Sequence, residues 1–105
     1  MATGRLAGSD LSAATNTTVY TCPADIFTVA SVNIVNRGSG PVIINLAIAD
    51  LDTPTNGEYI EYQTELLPKN VLERTGIVLG ATQKMVVYSN SSSVSVVAFG
   101  IETAA

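Results

Sequence analysis

From Thr28 to Asp50 the chain reads TVASVNIVNRGSGPVIINLAIAD, with apolar residues at every second position on both sides of a short polar break. In the first run Ala30, Val32 and Ile34 alternate with Ser31 and Asn33. In the second, Val42, Ile44, Leu46 and Ile48 alternate with Ile43, Asn45, Ala47 and Ala49. A period of two puts each set on one face of a strand, so each run has a core face and a second face that is only partly polar. The break, Asn36-Arg37-Gly38-Ser39-Gly40-Pro41, is turn chemistry. Glycine reaches positive φ, and Pro41 has no N–H to donate to a central ladder. These features predict a β-hairpin, with the two runs folded back on each other.

The same grammar repeats elsewhere. Thr17 to Cys22 is β-branched and aromatic and ends at Pro23-Ala24-Asp25. Glu58 to Leu66 alternates, with Ile60, Tyr62 and Leu66 in one phase and Tyr59, Glu61 and Glu65 in the other. Val71 to Leu79 forms a strand whose Gly76 marks a bulge or bend, Lys84 to Ser89 another, and Val94 to Glu102 the last, with a phase shift at Val96-Val97. Seven or eight short strands separated by turn signals, without a convincing helix, predict an all-β antiparallel sandwich, jelly-roll or immunoglobulin-like. Residues 17–105 are assigned to this one domain. Residues 1–16, small and polar, form either a flexible N-terminal arm or a first edge strand, and deleting residues 2–12 is expected to spare the fold.

Charge narrows the function classes. Of 105 residues 47% are apolar and only 13% charged, which favours a packed core and leaves a charge-poor surface suited to contact with neighbouring subunits. The five basic residues, Arg5, Arg37, Lys69, Arg74 and Lys84, are scattered, whereas nucleic-acid binding calls for clustered cations. No basic amphipathic helix, no continuous apolar span and no signal-peptide run is present, so no membrane partner is expected. Cys22 is alone, so an intrachain disulfide is excluded, and it reads as a small buried hydrophobe.

Catalytic constellations are missing. Without histidine no Ser-His-Asp set or activated thiol can be assembled. No glycine-rich loop opens a helix to cradle phosphates, and no cofactor is expected. Asp50, Asp52, Glu58, Glu61 and Glu65 crowd one region, yet the calcium-loop spacing is absent. Solvated loop and strand-face charges account for them, and no metal site is assigned. Glu58 and Glu61 fall on opposite faces of a strand, and no tryptophan offers a sugar platform, so glycosidase chemistry lacks its paired carboxylates. Asn16-Thr17-Thr18 fits a glycosylation acceptor by accident. Tyr20, Tyr59, Tyr62 and Tyr88 are the remaining surface candidates. Of these, Tyr59, Tyr62 and Tyr88 form the candidate interaction face.

Two stretches carry a resemblance. Ala14-Thr15-Asn16-Thr17-Thr18-Val19-Tyr20-Thr21-Cys22-Pro23-Ala24, followed by Val35-Asn36-Arg37-Gly38 and an apolar strand, resembles the opening of a small β-domain of tailed-bacteriophage virion proteins, especially from marine and cyanobacterial phages. The later YIEYQTEL and LERTGIVL segments look like the same family's ending, and the position of Cys22 departs from its pattern. The resemblance implies a non-enzymatic virion structural protein, a head decoration or tail-associated subunit. Such a subunit would form homo-oligomers and dock on other virion proteins. The alternative it leaves open is a receptor- or glycan-binding module of a tail fibre.

Overall fold

A computed structural model describes residues Met1 to Ala105. The strands are β1 (Thr3–Asp10), β2 (Thr15–Thr21), β3 (Ile26–Asn36), β4 (Val42–Ala49), β5 (Tyr59–Leu66), β6 (Val71–Leu79), β7 (Lys84–Ser89) and β8 (Val94–Ala104), with a single 3-10 turn at Asn56–Glu58. β1 pairs with β8, β2 with β7, β3 with β6 and β4 with β5, always antiparallel. The chain is therefore one long antiparallel ribbon doubled back between β4 and β5. Successive rungs of the ribbon alternate between two sheets, and the β3–β8 and β4–β7 ladders join the rungs within each sheet. The resulting orders, β1-β8-β3-β6 and β2-β7-β4-β5, make a β-sandwich of jelly-roll arrangement. The all-β antiparallel sandwich expected from the alternation is what forms, and strand order selects the jelly roll over the immunoglobulin-like alternative.

One expectation is overturned. Thr28 to Asp50 is not a hairpin, because its two runs are β3 and β4, inner strands of opposite sheets. They stack face to face instead of sharing a ladder. Val32 and Ile34 from β3 and Ile44 and Leu46 from β4 are all buried in one core cluster. The polar break between them is an arch, held by a buried carboxamide. Asn36 Nδ2 donates to the carbonyls of Gly40 (2.9 Å) and Leu66 (3.0 Å), and Asn36 Oδ1 accepts from the Gly38 N–H (2.9 Å). Arg37 fastens the arch to its neighbours. Its N–H reaches the Ser93 carbonyl (2.8 Å), its guanidinium pairs with Asp10, and its carbonyl accepts from Lys69 Nζ (2.7 Å). The Asn-Arg-Gly sequence is thus a loop organiser, tying down the 36–41, 67–70 and 90–93 connections together.

Bulges set the finer registers. Gly76 has φ +67° where the β3–β6 register shifts, as its place in the strand predicts. The expected irregularity at Val96-Val97 is absent, because β8 runs against β3 in unbroken register from Val94 to Ala104. The shift lies instead on β1, between Arg5 and Ala7. Leu6 there packs against the core. In β5 two register shifts against β4, with Gln63 at φ +50°, break the strict alternation read from sequence.

The N-terminal segment is an edge strand bonded to β8, and β2 begins at Thr15. Leu6 and Ala7 pack on the core and Leu11 is 2% exposed. These three apolar side chains, diluted in sequence by glycine and polar residues, close the β1 side of the sandwich. The expectation that residues 2–12 can be removed without loss of the fold is therefore reversed.

Candidate interaction faces

The outer side of the β2-β7-β4-β5 sheet carries the candidate tyrosines. Alternation alone puts Tyr59 and Tyr62 on opposite faces, yet the β5 bulges bring their rings together, edge to face, with centroids 4.9 Å apart. With Asn56 they line a shallow hollow of about 450 Å³. Tyr62 is 59% exposed. Tyr88 lies on the same side, opposite Asn45 on β4 and Asn16 on β2, but does not line the hollow. The structure thus joins two of the three expected residues and leaves the third apart.

The acidic stretch beside the hollow is a bracket. Glu58 accepts backbone N–H bonds from Thr55 (2.8 Å) and Asp50 (3.2 Å), and the Thr55 bond first of all holds its carboxyl below the usual carboxylate range. Asp52 accepts from Thr18 Oγ1 (2.6 Å), and Glu61 pairs with Arg74 across the β5 and β6 edges. Each of these carboxylates is committed to a different partner, and no three gather around a common point.

Tyr20 does not belong to the tyrosine face. It is buried, and its hydroxyl contacts Thr28 Oγ1 (2.9 Å) and donates to the Glu102 carboxylate. Cys22 Sγ lies 3.2 Å from the same Thr28 hydroxyl and 3.3 Å from the Ile26 carbonyl. Cys22 itself is a member of the buried core cluster. Burial first, then the hydrogen bond to a carboxylate, raises the Tyr20 phenol to about 12. The Tyr20 bond in turn lowers Glu102.

A second face, missed in the residue-by-residue reading, covers the outside of the β1-β8-β3-β6 sheet. Thr28, Ala30, Val32 and Ile34 point inward, so Phe27 and Val29 point out. In cross-strand register Val29 stands between Val78 and Ile101, and these three are 44%, 61% and 54% exposed. Phe99, beside Ser31, extends the patch. The signal was present in sequence: where both phases of a strand are apolar, one of them must face outward or meet a partner.

No family model matches the chain, and neither a curated protein nor a solved structure matches it.

Proposed function

We propose that this chain is a non-enzymatic structural protein of a tailed-bacteriophage virion, a head decoration or tail-associated subunit that docks on other virion proteins. The observation that carries the reading is the apolar outer face around Val29, Val78 and Ile101, set on a sandwich with few charges. Exposing a contiguous apolar sheet face to water is unfavourable and covering it by contact lowers the free energy, the balance that drives assembly. The Asn36-Arg37-Gly38 segment of the phage-like resemblance ties neighbouring loops together here, as a framework motif would. The test is to purify particles, separate capsids from tails and quantify the chain in each. High copy number in either fraction supports the reading, and absence from both overturns it.

One observation favours a second reading, a glycan- or receptor-binding module. The Tyr59–Tyr62 pair beside Asn56 offers aromatic surface and an amide around a hollow, the elements a sugar uses. Saturable binding of host-surface polysaccharide, weakened by Tyr59→Ala or Tyr62→Ala, would establish it. Binding unaffected by both substitutions would exclude this face.

A further inference from the structure

The occupant of the apolar sheet face is legible in its charges. Arg5 on β1 and Glu73 on β6 stand at the two opposite edges of the β1-β8-β3-β6 sheet, and neither makes an ion pair within the chain. A Cβ placed on Gly8 would lie 3.8 Å from an Arg5 guanidinium nitrogen, so the Arg5 side chain runs along the outer face to the level of Gly8. Gly8 pairs with Val97, Val97 with Asn33, and Asn33 with Glu73. The unpaired cation and the unpaired anion therefore bracket one cross-strand row.

We infer that this face binds a second copy of the chain, related by a two-fold axis parallel to the strands and lying between β8 and β3. Such an axis places β1 of one copy over β6 of the other while preserving each row, so Arg5 of each copy meets Glu73 of its mate. An axis across the strands would instead set β1 over β1 and β6 over β6, which brings no Arg5 to a Glu73. Side-chain sizes agree with the first choice. Phe99 pairs with Ser31 and Thr103 with Phe27 in the β8–β3 ladder, so exchanging the two strands across the axis lays each phenylalanine over a small polar residue. Ile101 meets Val29 in the same way. Two sheets stacked at the usual aligned angle of about −30° bury such faces with their side chains interleaved. Four strands about 4.8 Å apart and about ten residues long present on the order of 600 Å² in projection. Corrugation by side chains raises the accessible area toward the roughly 800 Å² per partner of a standard interface. This inference rests on the docking reading above and names the partner for the same face.

The test is sedimentation velocity on the full chain across a concentration series. Wild type is expected to dimerise, and Val29→Glu, which puts a charge at an exposed central position, is expected to abolish the dimer while the far-ultraviolet spectrum stays unchanged. Arg5→Glu and Glu73→Arg are each expected to raise the dissociation constant about tenfold, and the double reversal to restore it to within about threefold of wild type. A wild-type chain monomeric at all concentrations, a dimer indifferent to Val29→Glu, or a double reversal no better than the singles overturns the inference. A monomer that is nonetheless abundant in purified particles would sink the dimer and leave the virion reading standing. A dimer absent from particles would do the reverse.

Discussion

The Tyr20 hydroxyl on β2 lies 2.9 Å from Thr28 Oγ1 on β3, a polar contact that joins the two sheets through the end of the core. Because burial first, and then the bond that the same phenol donates to Glu102 on β8, disfavour the phenolate, Tyr20 stays protonated in the fold up to about 12. The unfolded chain loses that proton near the ordinary value of 10.0. Stability from this group is therefore complete below pH 10.0 and is lost as pH rises toward about 12. Glu102 acts with the opposite sign: its lowered pKa contributes stability above the ordinary carboxylate value of 4.5, lost as pH falls below it. Tyr20→Phe should cost about 1 kcal/mol at neutral pH and flatten the alkaline decline. Urea midpoints measured from pH 7 to 12 check this, and parallel curves for the two proteins would contradict it.

Gly100 admits no side chain. An added Cβ would stand 2.0 Å from the Val29 carbonyl oxygen and 2.8 Å from the Ala30 Cα, both backbone atoms of the neighbouring strand. No rotamer change relieves such a clash, so the β3–β8 ladder itself must part. Gly100→Ala should destabilise by about 3 kcal/mol or more, at the upper end of overpacking costs. Gly40 has nothing within 4 Å of its would-be Cβ, and Gly40→Ala should stay within about 0.5 kcal/mol of wild type. Equal effects of the two substitutions in urea denaturation would refute the assignment.

The strands were legible because their signal is local. Val71–Leu79 and Lys84–Ser89 begin and end where alternation and turn residues place them. Gly76 announced its bulge because positive φ selects glycine. Pairing was not legible from the same residues. The Asn36–Pro41 break fits a hairpin turn and an arch equally well, and what decides for the arch is a buried bond from Asn36 to Leu66, thirty residues away. The Tyr59–Tyr62 contact was hidden for a related reason, since it depends on a bulge at Gln63, a residue type with no special liking for φ +50°. The apolar sheet face was within reach of periodicity as a set of outward residues, whereas periodicity separated the two tyrosines. Their grouping came from register.

Asn36 gives that arch its sharpest test. Removing its carboxamide breaks three hydrogen bonds, two to the Gly40 and Leu66 carbonyls and one from the Gly38 N–H, at a side chain that is itself fully buried. Asn36→Ala should therefore cost about 2–4 kcal/mol. Asn36→Asp is the more discriminating change, because it replaces the Nδ2 donor with an oxygen facing two carbonyl oxygens. At neutral pH it should be at least as damaging as alanine. At acidic pH a protonated carboxyl regains one donor and should recover part of the loss. A thermal-melt series against pH, referenced to wild type, reads this directly. An aspartate variant with no acidic recovery would place the stabilisation elsewhere in the arch.

The first twelve residues separate an edge strand that completes the core from an arm that merely lies on it. Leu11 is 2% exposed, and its N–H donates to the Val94 carbonyl at 3.0 Å, so it is anchored by backbone and side chain alike. Leu6 and Ala7 add apolar contact from the β1 bulge. Truncation of residues 2–12 removes all three side chains and bares the β8 edge, a ladder left without its partner. The truncated chain should lose cooperative melting or aggregate, where an arm would leave the midpoint unchanged. Because truncation is a coarse change, Leu11→Ala supplies the finer measurement. Deleting one buried leucine side chain should cost about 2–5 kcal/mol with the β-spectrum intact. A Leu11→Ala protein as stable as wild type would show that the core closes without the Leu11 side chain.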